Sequence, residues 1–459
     1  MIFFIQNRKL GPMDPDLYWV SDEPKTVRRI KMRKTLQPSC YLQFNEELCT
    51  GCTHCVRQCP TSAIRIRKRK SIRIVDHCIG CGECILVCPT YALSAASNEL
   101  DVKDQNHISV AIVSPVLYAQ FPKINPKAVL RGLRKLGFHY TIDISSYIEL
   151  FLRATEEYIR KNRTSRESPW PLISPVCPVV IRLIAFQFPA LLPNILPILR
   201  PTTLAAREVR KKIRRICDAK EQKIVLYHIT PNRSSLPQEY ACMDRIIGIN
   251  DVYSGLMQQL GNQKQEIPTS SDKTGSRFFT SKNCIGWGAS GGEIDGLDID
   301  RSLAISGLRE TITYLQKIEL GLFRDIEYIE FRICSEGCVG GKHTSVDKYL
   351  AKNEISKMQA LCSPGTSVSR AKIIQLYEDG WFLNNSDFAQ PKRIIEHPKE
   401  PLTLESLQKI DGLLEKIQGM DCGACGAPNC RIFAEDVVRG DASLEECLVF
   451  RMRQENNDN

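Results

Sequence analysis

The 459-residue sequence predicts an α/β protein, with a core of mostly parallel sheet, a small α+β unit before it and a small helical unit after it. Three observations predict this. From His107 onward, short apolar runs alternate with amphipathic stretches at the spacing of strand–helix–strand units. Cysteines crowd outside that stretch, between Cys49 and Cys88 and again between Cys422 and Cys447. Polar stretches at Asn262–Ser276 and Asn384–Pro401 read as a loop and a linker. The layout is a basic lead over 1–40 without recognisable pattern, a cysteine-rich unit over 41–97, the core over 105–380, a linker over 381–400 and a second cysteine-rich unit over 401–459.

Each element has a local reason. Ile108–Pro115, Tyr140–Ile144, Val225–Ile229 and Tyr328–Ile333 are β-branched and aromatic runs of strand length. Ala128–Leu136 has helical periodicity and stops at Gly137, and Leu303–Ile318 reads as one long helix. In the first cysteine-rich unit, Ile64, Ile66, Ile72 and Ile74 alternate around the run Arg65-Ile-Arg-Lys-Arg-Lys70, the pattern of a hairpin with a solvated, charged tip. In the last unit, Ile432–Val438 reads as a short helix that Gly440 stops before Cys447. Asp143 and Glu149 read as surface charges, Trp287 as core and His54 as a solvated loop residue.

The cysteine spacing points to metal. Cys49-x2-Cys52-x2-Cys55-x3-Cys59-Pro60 is repeated as Cys78-x2-Cys81-x2-Cys84-x3-Cys88-Pro89. This run, given twice, builds two [4Fe–4S] cubes, with the fourth cysteine of each run completing the other cube. The sets are Cys49, Cys52, Cys55 and Cys88, then Cys78, Cys81, Cys84 and Cys59. Structural zinc, which closes at four ligands in two pairs, does not account for two four-cysteine runs with trailing prolines. Cys422-x2-Cys425-x4-Cys430-x16-Cys447 supplies a third set, where a zinc site is the alternative. Gly423 and Gly426 would let the backbone close around that cube. The other cysteines, Cys40, Cys217, Cys242, Cys284 and Cys362, lack ligand-like spacing and read as packing residues.

Composition fits a cytoplasmic redox protein. Twelve of 20 cysteines fall in these sets, which argues against secretory disulfides, and Met1–Ile5 is too short an apolar run for a signal peptide. Val176–Leu199 comes closest to a membrane span but contains Arg182, Gln187 and four prolines. The formal +10 charge falls to roughly +4 once three cubes, each about −2, are counted. The basic excess is local: residues 1–75 hold 15 Lys and Arg against 6 Asp and Glu, whereas residues 401–459 hold 6 against 11. That pattern suits docking an acidic redox donor or acceptor better than nucleic acid.

Resemblances extend the reading. Residues 41–97 resemble a bacterial two-cluster ferredoxin, and the Cys422–Cys447 pattern is similar to the small 4Fe–4S domain shared by the Rnf electron-transport complex and corrinoid iron–sulfur proteins. Ile173-Ser174-Pro175-Val176-Cys177-Pro178, Ile229-Thr230-Pro231-Asn232 and Cys334-Ser-Glu-Gly-Cys338-Val-Gly-Gly341 resemble three loops of iron-only ([FeFe]) hydrogenases. Gly288-Ala-Ser-Gly-Gly292 and Pro201–Arg207 resemble that family's glycine-rich turn and one of its helix starts. The three-part arrangement looks like the divergent, sensory-type branch of the family, and implies a hydrogenase-like α/β core.

Departures from the family pattern matter as much. By the resemblance, Val176 stands where active enzymes have a proton-shuttling cysteine, Asn232 where they have a cubane ligand, Ser235 where a lysine contacts the di-iron unit, and Arg332 where they have methionine. Cys177, Cys334 and Cys338 remain, three thiolates for a cube that takes four. Either Asn232, Cys242 or solvent completes a fourth cube with one labile iron, or the cysteines are buried small hydrophobes; a di-iron subcluster is not expected. Lys342 and His343 sit in a Gly-Gly-Lys stretch, but Glu336 replaces the upstream glycine of a P-loop, so no nucleotide site is expected. The expected function is a redox relay or sensor without an assigned catalytic residue. The alternatives are a hydrogenase or other reductase acting at a labile iron, and an iron–sulfur assembly factor.

Overall fold

The computed structural model describes residues 41–67, 71–74, 77–96, 107–163, 169–216, 223–234, 242–261, 281–362, 369–383, 402–417 and 419–457. The lead over 1–40 with Cys40, as well as Lys68–Lys70, Cys217, Ser235, the Asn262–Ser276 loop and the linker from 384 to 401, lie outside the described residues.

The core is built on two parallel sheets. Strands β5 (His107–Val113), β6 (Tyr140–Asp143), β8 (Lys223–Thr230) and β9 (Arg245–Gly248) form one, in the order β6-β5-β8-β9. Strands β10 (Ser302–Ser306), β11 (Tyr328–Arg332) and β7 (Leu172–Ile173) form the other, in the order β10-β11-β7. All pairings in both are parallel. The apolar run of β5 reflects burial on both faces. Ile108, Val110 and Ile112 pack into one cluster with Ile224 and Leu226, while Ala111 and Val113 pack into another with Val225, Tyr227 and Ile229. Parallel strands present their carboxyl ends together, and ligands bind in the crevice beyond such ends. Here β5 runs into Ser114, β8 into Pro231 and Asn232, and β11 into Ile333 and Cys334, and all of these residues line one cavity.

The first cysteine-rich unit is α+β. Strands β1 (Leu42–Phe44) and β4 (Leu93–Ala95) pair antiparallel, as do β2 (Ile64–Arg67) and β3 (Ser71–Ile74), with short helices at His54–Gln58 and Glu83–Leu86. The last unit is helical, with helices at Leu404–Ile417, Cys430–Val438 and Leu448–Asn457. Val176–Leu199 is broken into the helix Pro178–Gln187 and a 3-10 turn at Pro189–Asn194. Among the described residues no helix is long and apolar enough to cross a membrane.

Four expectations are corrected. Leu303–Ile318 is not one helix: Ser302–Ser306 is β10, and the helix begins at Leu308. Gly307, at φ +98°, makes the turn between them, and pairing with β11 overrides local helical preference. Asp143 is not a surface charge; it accepts from the Tyr118 hydroxyl and from Ser145 N–H at 2.7 Å. Glu149 is 5% exposed. Arg65 is not part of a solvated tip. It is 2% exposed and bonds Asp436 of the last unit through Nε at 2.5 Å and Nη2 at 3.2 Å.

That ion pair fastens the last unit to the hairpin. Beside it Ile66 N–H donates to Gly426 O at 2.9 Å, and Arg57 Nη2 donates to Cys422 O at 2.7 Å. Gly426 serves this docking: at φ +77°, a Cβ there would lie 1.8 Å from Ile66 O. Removing one partner of a buried pair costs about 3–5 kcal/mol, far more than replacing both with apolar groups. Asp436→Ala should therefore loosen the docked unit and speed exchange of the Ile66 amide at least about 10-fold by hydrogen-exchange mass spectrometry, with Arg65→Met/Asp436→Leu close to wild type. Unchanged exchange in Asp436→Ala would show that the pair does not hold the interface.

Candidate metal centres

None of the described cysteines is in a disulfide, and most converge in four places. Cys49, Cys52, Cys55 and Cys88 line one cavity, capped by Ile66 and Ile72 of the hairpin. Cys59, Cys78, Cys81 and Cys84 line a second, with Tyr41 and Gly80. Cys177, Cys334 and Cys338 line a third, the chamber at the strand ends, together with Asn232. In the last unit Cys425, Cys430 and Cys447 pack in one cluster with Phe433 and Ile417, and Cys422 interacts electrostatically with Cys430. Cys242 does not line the chamber; it packs against the core, and its carbonyl accepts from Arg210. Cys284 and Cys362 donate to the carbonyls of Ser145 and Met358. His54 is exposed and Trp287 is buried.

The residues around the thiols suit a cluster. The repeated Cys-Pro-Thr-x-Ala sequence has a local purpose: Ala63 N–H donates to Cys59 Sγ at 3.2 Å, and the Thr61 and Thr90 hydroxyls lie 3.7 and 3.8 Å from Cys59 and Cys88 Sγ. Burial would raise the Cys88 pKa, but the N–H groups of Leu93, Thr90 and Ala92 and the Thr90 hydroxyl outweigh it and lower it. In the last unit Asp421 N–H donates to Cys430 Sγ at 3.3 Å, while Asp421 Oδ1 accepts from Cys430 N–H at 2.7 Å. Such N–H···S contacts stabilise charge on sulfur. Elsewhere burial dominates, pushing Cys81 and Cys334 up to about 12 and Cys55 and Cys338 up to about 11. These thiols can carry charge at neutral pH only opposite a cation, which is the condition a metal cluster meets.

Each of the four places adjoins the next. The last unit docks on Ile66, which caps the first cavity. The first and second cavities share the two cysteine runs, since Cys59 and Cys88 cross over. The second adjoins the chamber: Tyr41 hydroxyl donates to Gly80 O at 2.8 Å, and burial, then the thiols Cys81 and Cys334 on its two sides, raise the Tyr41 pKa. Ser234 Oγ donates to Ile79 O at 3.2 Å across the same junction.

Three stretches of the chain match models of known families. Residues 107–232 match the family model for the iron-only hydrogenase large subunit, C-terminal domain; residues 41–89 match a 4Fe-4S dicluster domain, and residues 417–449 match a domain described as "Putative Fe-S cluster". The chain thus combines a stretch similar to that hydrogenase domain with two iron–sulfur domains. Similar solved structures include a variant of apo [FeFe]-hydrogenase HydA1 from Chlamydomonas reinhardtii, at 14% identity over 63% of this chain and 93% of that one, TM-score 0.44. A structure of [FeFe]-hydrogenase HydA(deltaEFG), which concerns stepwise H-cluster assembly, is similar at 15% identity over 63% of this chain and 93% of that one, TM-score 0.43. No curated protein matches the chain by sequence.

Iron–sulfur domains flank the core, and its chamber carries groups that sequence reasoning passed over. Arg332, 1% exposed, donates from Nε to Glu330 at 3.0 Å and from Nη2 to Glu293 at 2.7 Å. Glu330 also accepts from the N–H groups of Gly291, Glu293 and Ile294 at 3.1–3.3 Å. Glu293 accepts from the hydroxyls of Ser174 and Tyr328. Burial raises the Glu293 pKa to about 7 against the opposing Arg332 charge. Lys342, on the dismissed Gly-Gly-Lys stretch, is buried and pairs with Glu83 at 3.5 Å between the second cavity and Cys334, where its charge lowers the pKa of both Cys81 and Cys334 against burial. Only a basic residue directly after the Cys334–Gly341 loop signalled it in sequence.

Thiol reactivity follows from burial. In metal-free protein at pH 8, iodoacetamide should alkylate the exposed Cys52 and Cys422 at least about 10-fold faster than Cys81 and Cys334. Because the pKa of the buried pair is raised, their reaction should accelerate as pH rises toward 12. Equal rates at all four cysteines, read by mass spectrometry, would contradict the burial described.

Proposed function

We propose that the chain is a redox relay in which electrons move along a row of four [4Fe–4S] clusters ending in a hydrogenase-like chamber that has lost hydrogen turnover. The observation that carries this is the row itself: four cysteine sets, each adjoining the next, with no set standing apart. On this reading Cys422, Cys425, Cys430 and Cys447 hold one cube; Cys49, Cys52, Cys55 and Cys88 the next; Cys78, Cys81, Cys84 and Cys59 the third. Cys177, Cys334 and Cys338 would hold the last, with Asn232 lining the same chamber. The corresponding units are 41–97, 105–380 and 401–459, the last two joined by the 381–400 linker. When bound, such cubes supply one-electron transfer at potentials set by burial and N–H···S contacts.

The chain's own residues set the conditions for transfer. Lys342 offsets negative charge where the second cavity meets the chamber, and Tyr41 fills the space between them. The docking of Arg65 on Asp436 fixes the far end of the row. Part of the basic excess of residues 1–75 is thereby met within the chain rather than by an outside partner.

Loss of hydrogen turnover is supported by chemistry at the chamber wall. A proton must reach the reacting atom from an ionisable group within hydrogen-bond distance, and Val176 offers none. Arg332 stands at the methionine position, held by two carboxylates. A strong one-electron donor should yield no hydrogen, even after a synthetic di-iron cofactor is supplied; turnover comparable with an authentic hydrogenase would refute this part of the reading.

Iron content tests the row. Anaerobically reconstituted protein is expected to hold about 16 irons per chain, and Cys334→Ala about four fewer with loss of one EPR signal. A wild-type content near 12 that Cys334→Ala leaves unchanged would mean that the chamber holds no cube.

A further inference from the structure

We propose that the chamber beside Cys177, Cys334 and Cys338 is a binding site for a small monoanion, held between the iron that lacks a thiolate and Nη1 of Arg332. This rests on the reading of those three cysteines as ligands of a cube.

Space comes first. The chamber measures about 100 Å³, against about 20 Å³ for the cavity ringed by Cys59, Cys78, Cys81 and Cys84 and about 10 Å³ for that ringed by Cys49, Cys52, Cys55 and Cys88. A group that fills either smaller cavity leaves room in the larger one for a ligand of a few heavy atoms. The walls around that room are mostly apolar, from Val116, Ile144, Val176, Val179 and Trp287, with a few polar groups among them. That is the composition of a small-molecule site rather than of a solvent channel.

Arg332 supplies the specificity. Two of its three nitrogens are committed, Nε to Glu330 and Nη2 to Glu293, and the Trp287 ring lies 5.1 Å from the guanidinium carbon. Nη1 is buried without a hydrogen-bond partner among the described residues. A buried, charged N–H left unpaired is costly, so a guanidinium fixed on two sides and lining a cavity implies an acceptor from what the cavity holds. The fixing is firm, because Glu330 is anchored by three backbone N–H groups and Glu293 by Ser174 and Tyr328. Arg332 also lies within electrostatic range of Cys338 and Cys177, which places its guanidinium near the sulfurs of the ligand set.

Charge and donor type narrow the ligand. Three thiolates leave a cube one negative charge short of its four-thiolate form, and a monoanion restores that balance. A guanidinium only donates, so the ligand must offer lone pairs at one end to Nη1 and at the other to iron. Azide and formate are suitable probes of this class, and imidazole is a neutral iron ligand for comparison.

The test uses the full chain, reconstituted with iron and sulfide without oxygen. Azide and formate should shift the EPR signal that Cys334→Ala removes, saturably and at least about 10-fold more tightly than imidazole does. Arg332→Lys keeps a positive charge opposite Glu293 and Glu330 but loses the second donor arm. It should weaken azide about 10- to 100-fold and change imidazole no more than about twofold. If the signal is present yet azide binds no more tightly than imidazole, or if Arg332→Lys weakens both ligands alike, the anion site is wrong and the cube reading stands. If wild-type protein lacks the signal and holds about 12 irons, the cube reading itself fails and the anion site falls with it. Should Arg332→Lys lose the signal, the wild-type comparison of azide with imidazole decides alone.

Discussion

A thiolate removed from water is too costly to keep unless a cation faces it, and most of this structure answers to that constraint. Cys55, Cys81, Cys334 and Cys338 are buried deeply enough that their thiols resist ionisation. The chain places what can offset the charge close by. N–H groups point at Cys59, Cys88 and Cys430, and Lys342 lies between Cys81 and Cys334. Burial also forces the units together. The loops that carry the cysteines shield one another, as Ile66 caps the first cavity while its backbone bonds the loop of the last unit. The close approach of the cysteine loops is thus a packing consequence of sheltering sulfur from solvent.

The chamber meets the constraint differently. Two of its three thiols, Cys177 and Cys338, lie within electrostatic range of a buried arginine bound to two buried carboxylates, an arrangement whose desolvation cost is large unless every partner is satisfied. Glu330 is satisfied by backbone, Glu293 by two hydroxyls, and Arg332 by both carboxylates except at Nη1. Replacing a buried ion pair with apolar residues is often neutral or stabilising, so stability alone gives little reason to keep this one. It makes better sense as a fixed donor turned toward whatever occupies the chamber.

Much of this was legible in the sequence, for identifiable reasons. Cysteine spacing is a local signal, and the sets it suggests for the first unit ring two separate cavities. Strands buried on both faces, such as β5 and β8, announce themselves as unbroken apolar runs. The failures are non-local. Leu303–Ile318 carries helical preference, and only its neighbour β11 makes Ser302–Ser306 a strand. Arg65 looks like one more cation in a basic run, because its partner Asp436 lies 371 residues away. Arg332, Glu330 and Glu293 are spread over 40 residues and meet only once β11 packs beside the glycine-rich turn. Lone charges in apolar surroundings were the available hint, and they do not name their partners.

Iron-edge anomalous diffraction from anaerobically grown crystals of the loaded full-length protein tests the central claim most directly. The account expects four separate iron peaks in a row, in the order Cys422 set, Cys49 set, Cys78 set and Cys177–Cys334–Cys338, with one iron of the last lacking a thiolate on the side facing Arg332. Three peaks with none among Cys177, Cys334 and Cys338, or a peak in the last unit remote from the hairpin at Ile66, would contradict it.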